Sequence, residues 1–456
     1  MSDKEEKSLE RRLWEERLSR RAFIRAAGVS GAALLGAGGV ILAGCGGGTT
    51  TTTAATGGAT ATTAATGGTT ATTAAAAADL SKMDLRTTGL SVTVQDRILA
   101  DFKAKSGVRS ATGTATTFPD AQTRIISAPE GNPEWDCWET IGERLPPIIQ
   151  TKRALAVDPS TMKNWKSIRP LFTNPPTPKF AGGKTIADQI WTDSSKTKLY
   201  MVPTVFNFDS IGYNPDVVSD AEANTWAAIF DPKWKGKSAL NTDPLIAMPN
   251  VFMAMNSLGL VKVTNPGNEP DANVDAAIKW LIDLKKAGQF RSLWGDFGEL
   301  VNLMASKEVV VADAWQPAVM AVKAQGTKCR YAVPKEGYRA WAIGITPLAG
   351  SPAIPAVMAY ADYWLSGPPA ITVSEQGYYS PTTTIEQAFT DAGKADAYAF
   401  WYNGAPWKGA AFNGINEGDV RDGGSLEERT ANIGVWHQFP DNYDYVVQKW
   451  DEFLNA

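Results

Sequence analysis

From Gly46 to Ala78 nearly every residue is Gly, Thr or Ala, and a run of that composition buries too little apolar surface to offset the entropy of ordering it. The folded body of this 456-residue chain must therefore be built after about Leu80, where 15 of the chain's 16 Trp lie and can help fill a core. A core of that size exceeds one ordinary domain, so at least two lobes are expected. The run itself, over 45–78, reads as a flexible tether. Its 33 Gly/Thr/Ala-rich residues would reach roughly 30 Å root-mean-square as a random chain.

The first 44 residues form an ordered series: an Arg/Glu-rich opening, then SRRAFIR, then an apolar stretch from Ala26 to Ala43 that leads into LAGC. That order belongs to an export signal rather than a folded element. Ser19, Arg20, Arg21, Phe23 and Arg25 resemble the twin-arginine address. The apolar stretch is rich in Gly and Ala and marginal as a membrane-spanning helix, which suits a cleaved signal. Leu42, Ala43, Gly44 and Cys45 resemble the lipobox of bacterial lipoproteins. The expectation is a signal over 1–44, lipidation at Cys45, and a protein tied to the outer face of the cytoplasmic membrane. One acyl chain holds only marginally, so the anchor needs more than one.

Several function classes drop out. The formal net charge is −4 and no Lys/Arg-rich run follows the first 25 residues, so nucleic acid is not expected as a partner. One histidine, His437, is present, which removes HExxH and multi-histidine metal sites and confines any Ser/His/Asp triad to its neighbourhood. No GxSxG, GxxxxGK[ST] or strand-linked GxGxxG occurs. No catalytic residue, metal site or cofactor is assigned, and the chain is not read as an enzyme. An exported hydrolase and a surface scaffold lipoprotein are the competing classes. Cys137 and Cys329 lack CxxC spacing, so they are either two small buried side chains or one disulfide.

Beyond Leu80 short apolar runs alternate with longer amphipathic ones, an α/β texture. In DANVDAAIKWLIDLKKAG the residues Val274, Ala277, Ile278, Leu281 and Ile282 share one helical face, with Asp271 or Asn273 as cap and Gly288 as stop. KEVVVA, Lys307 to Ala312, reads as a buried strand that ends before Asp313 and Trp315, where α/β proteins face their ligands. Aromatic residues beside acids or amides recur in EWDCWET, MVPTVFNFDSIGYN, VADAWQP and YRAWAIG. Aromatic walls with a few polar groups are what a small-molecule cleft needs.

Four strings appear in one order: VPTVFNFDSIGYN at 202–214, TWAAIFDPKWKGK at 225–237, LMASKEVVVADAWQPAV with AVPKEGYRAW up to Trp341, and GYYSPTT at 377–383. With them the chain resembles the bacterial solute-binding proteins of ABC importers, within them the spermidine/putrescine-binding group. The resemblance implies an α/β, two-lobed, type II periplasmic-binding-protein fold with the ligand cleft between lobes. It puts lobe 1 at 85–206 with 343–382 and lobe 2 at 207–342 with 383–456. It implies a monomer that takes a small solute and delivers it to a permease with its ATPase subunits.

By the same resemblance Trp315 and Trp341 flank the ligand, Tyr378 is a site tyrosine and Asp243 holds an amine. Ile246 and Ile343 stand where that group places further acids, and the stretch from Val92 to Gln95 lacks its acidic and aromatic pair. A desolvated ammonium without its carboxylates binds poorly. Arg339 instead suits a carboxylated solute, or simply faces solvent. Adjacent Tyr378 and Tyr379 resemble the paired phenolates of ferric-ion binders. Glu139, Thr140, Glu143, Asn207 and Asp209 complete the expected ligand contacts.

Overall fold

The computed structural model describes residues 78–456; the expected signal, the lipidated Cys45 and all but the last tether residue lie outside the described residues. Ten strands form the scaffold: β1 (Asp84–Gly89), β2 (Ser110–Ala115), β3 (Cys137–Ile141), β4 (Val202–Tyr213), β5 (Ser238–Asn241), β6 (Phe290–Trp294), β7 (Val311–Ala314), β8 (Arg330–Tyr331), β9 (Tyr338–Pro347) and β10 (Ile433–Trp436). Their main path runs β2-β1-β3-β9-β4-β7-β5-β6.

That order is one motif used twice. β1 lies parallel to β2 and β3, and β9 closes the set antiparallel to β3. β5 lies parallel to β6 and β7, and β4 closes that set antiparallel to β7. Each half thus takes its antiparallel strand from the centre of the order, where β9 and β4 lie side by side. β4 and β9 also pair with each other, from Val202↔Ile345 to Asp209↔Arg339, so a two-stranded ribbon joins the lobes. All twelve residues of β4 are buried. A strand covered on both faces is usually near-continuously apolar, which makes Asn207 and Asp209 in its middle costly residues that need a reason.

Gly344 shows how tightly the ribbon is packed. A Cβ there would collide with the Val202 carbonyl and lie 2.9 Å from its carbon, and backbone in a ladder cannot step aside. Gly344→Ala is expected to cost about 2–3 kcal/mol, measured as a shift in the urea unfolding midpoint with unchanged slope.

One core gathers Leu85, Phe102, Trp138, Val205, Phe206 and Tyr360. A second gathers Ile211, Trp226, Val251, Ile278 and Trp450, with a small third around Trp294 and Val319 in the same half. The segment expected to rejoin lobe 2 after 382 first adds Ile385, Phe389, Phe400, Trp401 and Tyr402 to the first core. The Tyr402 hydroxyl accepts from Ser380 N at 2.9 Å and its ring packs edge-on against Tyr379 at 5.3 Å. Val435 and the helix Tyr443–Leu454 then join the second core.

Local expectations shift by a few residues. The helix spans Asp271–Lys286 and buries Val274, Ala277, Ile278 and Leu281, but Pro270 stands at its cap, with Asp271 inside the first turn. The strand expected at 307–312 begins at Val311 and runs through Asp313 to Ala314, because Lys307 turns the chain at φ 64°. Cys137 and Cys329 are both free and buried, so the disulfide alternative is not formed. Among the described residues no helix is long and apolar enough to cross a membrane.

Candidate functional site

The parallel strands of both halves end near the β4–β9 ribbon, and the residues that follow them meet across the lobes. After β3 come Glu143 and Arg144; after β5 comes Asp243. Arg144 reaches Asp243 at 3.5 Å, joining a buried guanidinium to a half-exposed carboxylate. Asp243 also caps the helix Pro244–Ser257, accepting from Leu245 N at 2.9 Å. It has two structural partners before any ligand is considered.

Strand pairing fixes the centre of the site. Asn207 opposes Trp341 and Asp209 opposes Arg339, so alternation places these four side chains on one face of the ribbon. Arg339 Nη2 donates to Asp209 Oδ2, and Trp341 Nε1 donates to Asp209 Oδ1 at 2.8 Å. Burial pushes the pKa of Asp209 up, against the opposing pull of Arg339. Arg339 Nη1 lies 3.2 Å from His437 Nδ1, which lies 3.1 Å from Glu143 Oε1. His437 Nε2 contacts the Leu245 carbonyl, an atom that can only accept, so Nε2 carries a proton. Nδ1 then accepts from Arg339 in the neutral ring, or donates to Glu143 in the charged one. Asp209, Arg339, His437 and Glu143 form a chain that touches both lobes and the ribbon between them.

Asp313 sits beside this chain. It accepts from Trp294 Nε1 at 2.9 Å, Asn241 N at 3.0 Å and Asn250 Nδ2 at 3.4 Å. Burial pushes it up to about 7, with Arg339 among the groups holding it down. Asn207 differs from all of these. It is fully buried, yet neither its amide oxygen nor its nitrogen has a partner. Unpaired buried amide atoms cost about 1–3 kcal/mol, and such a cost is retained where a ligand can supply the bonds.

The remaining expected contacts divide. Trp341 is half-buried and meets Tyr378 edge-on at 5.7 Å. Trp315, also half-buried, packs on Trp294 at 4.9 Å, which links it to Asp313. Tyr379 turns the other way: it is fully buried, stacks on Phe206 at 5.4 Å, and lies under Arg421. The two tyrosines therefore do not converge. Burial and nearby Asp209 also push the Tyr378 hydroxyl up, the opposite of what a phenolate ligand requires. Among the described residues no cluster of acids, cysteines and histidine is placed to hold a metal.

Glu139 and Thr140 lie within lobe 1. Ile141 opposes Ile343, which opposes Val205, so alternation turns Thr140 to the face away from Asn207. Glu139 is fully buried and accepts from Thr87 at 2.9 Å and Tyr360 at 3.1 Å. Burial pushes it up to about 7, against those donors. In the unfolded chain a glutamate ionises near pH 4.3. Between about pH 4.3 and 7 the folded form keeps a proton that the unfolded form has lost, so this group lowers stability as pH rises and then levels off. Glu139→Gln should match the parent at pH 4 and exceed it at pH 8 by on the order of 2–3 kcal/mol, read from denaturant unfolding at the two pH values.

Sequence reasoning missed His437, Arg144, Asn250 and the structural role of Asp313. Nothing in spacing links His437 to Glu143, 294 positions away. Asp313 carried a signal, since it ends a run of valines.

Residues 97–400 match the family model for bacterial extracellular solute-binding proteins. A search of curated protein sequences returns no match. Among solved structures, a Listeria monocytogenes protein described as a spermidine/putrescine ABC transporter is similar, with TM-score 0.57, 18% identity, 81% of this chain covered and 98% of that one. A spermidine/putrescine substrate-binding protein of Streptococcus pneumoniae has TM-score 0.56 and 14% identity, covering 82% and 99%. A periplasmic binding protein of A. tumefaciens in complex with agropinic acid has TM-score 0.51 and 17% identity, covering 82% and 99%. The fold shared with these two-lobed proteins and the family match over well more than half of its length lead to one statement: the chain belongs to the bacterial extracellular solute-binding proteins.

Proposed function

We propose that this protein is the receptor of an ABC importer, a monomer exported by the twin-arginine route and anchored through lipid on Cys45. It captures a small polar solute between its lobes and presents the closed form to a permease with its ATPase subunits. The observation that carries this reading is Asn207: a buried, doubly unpartnered amide on the ribbon where both lobes meet, beside the Trp341–Tyr378 wall. A solute that touches both lobes favours closure by its differential affinity for that state, and a permease can read the difference. Lobes 85–206 with 343–382 and 207–342 with 383–456 are the proposed moving bodies, amended by the packing of 385–402 on the first core.

Polyamine-type cations are the first probes, in keeping with what the Listeria and Streptococcus proteins are described as carrying. One observation favours a second reading. Asp209, Asp243 and Glu143 already face Arg339, Arg144 and His437, which leaves an amide, an indole and a phenol to meet the solute. That set suits an amino-acid derivative of the kind bound by the A. tumefaciens protein better than a bare ammonium. A thermal-shift screen against polyamines, amino acids, opine-type derivatives, organic anions, sugars and ferric ion tests both. A ligand at 100 times its dissociation constant adds about 2.7 kcal/mol. No shift with any compound, together with hydrolytic turnover of one, would overturn the receptor reading.

A further inference from the structure

Away from the interlobe site, two arginines lie buried side by side. Arg421 is 4% exposed and Arg429 0%. Neither pairs with a carboxylate among the described residues. The adjacent acid, Asp422, spends its carboxylate on Arg330 Nε at 3.2 Å and Tyr331 N at 2.9 Å. Arg421 donates to the Trp401 and Gly377 carbonyls at 2.9 and 2.7 Å. Arg429 donates to the Asp422 carbonyl at 2.7 Å. These are neutral acceptors. Left without partners are Arg421 Nε, Arg429 Nε and Nη2, and the hydroxyls of Tyr338 and Tyr379.

Aromatic rings supply part of the missing compensation. The Arg421 guanidinium stands 4.3 Å from the Tyr379 ring centre and 4.7 Å from Trp401. The Arg429 guanidinium stands 5.0 Å from Tyr338 and 6.0 Å from the same Tyr379. Cation–π attraction recovers only part of what a guanidinium loses on leaving water, and each positive charge raises the cost of the other. Burial above all, with the charge of Arg429 beside it, lowers the pKa of Arg421 to about 10 against the opposing pull of Tyr379. Arginine still keeps its proton at neutral pH. Free N–H and O–H donors around two buried guanidiniums, neither of them ion-paired to a carboxylate among the described residues, suit a small anionic acceptor. A surface depression of about 520 Å³, lined among others by Tyr331, Asp422 and Gly423, lies next to the cluster, since Gly423 abuts the Tyr338 hydroxyl and Arg429.

We propose that Arg421, Arg429, Tyr338 and Tyr379 form a binding site for a small monovalent anion of halide size. The anion ties Gly377, the end of the helix Ala395–Asn403 and the segment 421–429 into one unit. Because Tyr378 follows Gly377, the anion also steadies the aromatic wall of the interlobe site.

The test uses the purified protein at constant ionic strength, with sodium chloride or bromide exchanged for gluconate, which is too large to enter. The melting temperature should rise by about 3–6 °C in halide and saturate with concentration. Tyr379→Phe keeps the ring and removes one donor, so the half-saturating halide concentration should rise about tenfold. Arg429→Met should abolish the halide dependence. Crystals grown in bromide should show an anomalous peak between the two guanidiniums, a readout independent of whether Arg429→Met folds. Equal melting in halide and gluconate, or no bromide peak there, would overturn the proposal whether or not a solute is found for the interlobe site.

Discussion

Replacing Arg339 with methionine should lower folding stability by about 3–5 kcal/mol at neutral pH, the usual cost of removing one partner from a buried ion pair. Asp209 would keep Trp341 Nε1 and lose the guanidinium that pairs with it, with both side chains of the pair almost fully buried. Its carboxyl is already pushed up by burial, and without Arg339 it rises further. The folded pKa of the variant therefore exceeds that of the parent, so the deficit grows as pH rises through the interval between the two and shrinks as pH falls back toward about 4. Adding Asp209→Asn to Arg339→Met removes the stranded charge and should restore more than half of the loss, a coupling visible in a double-mutant cycle. A single-variant deficit below about 1 kcal/mol would mean that water reaches the pair and that it behaves as a surface contact.

The second large effect falls on binding. Asn207→Leu keeps the number and branching of the side-chain heavy atoms and removes two polar atoms that have no partner. Stability should rise by about 1–2 kcal/mol, because the cost of burying those atoms disappears. Affinity for the solute found by thermal shift should fall by about 30- to 150-fold, the loss of about 2–3 kcal/mol of hydrogen bonding to a desolvated group. Opposite signs in the two measurements are the diagnostic result, since a residue kept for packing would lose stability and binding together. Calorimetric titration and urea unfolding of the same preparation read both.

The sequence made legible whatever depends on local chemistry. The helix Asp271–Lys286 announced itself through one apolar face, and MVPTVFNFDSIGYN drew attention through its aromatic residues beside an amide and an acid. The lobe boundaries at 206/207 and 342/343 entered only through family resemblance, and the β4–β9 pairing not at all, because pairing across 130 positions leaves no periodic trace. The same holds for Glu143 with His437 and Arg144 with Asp243, whose partners come from different lobes. Asp243 looked like a free carboxylate because a cap and an interlobe partner cannot be seen in NTDP. Tyr378 and Tyr379 looked like a pair because adjacency in sequence says nothing of direction. In extended backbone neighbouring side chains point to opposite sides, and here one meets Trp341 while the other enters the core.

Closure about the β4–β9 ribbon is the central claim, and a distance across the lobes tests it most directly. Lys103 and Lys286 are exposed, one on a helix of each lobe. Cys137 and Cys329 are buried, so spin labels at Lys103→Cys and Lys286→Cys in a Cys45→Ser background report the separation by pulsed electron resonance. Without solute, the Arg144–Asp243 and Glu143–His437 contacts are expected to open, giving a long and broad distance distribution. With saturating solute the distribution should shorten and narrow. A solute that binds tightly while the distribution stays unchanged would contradict capture by lobe closure.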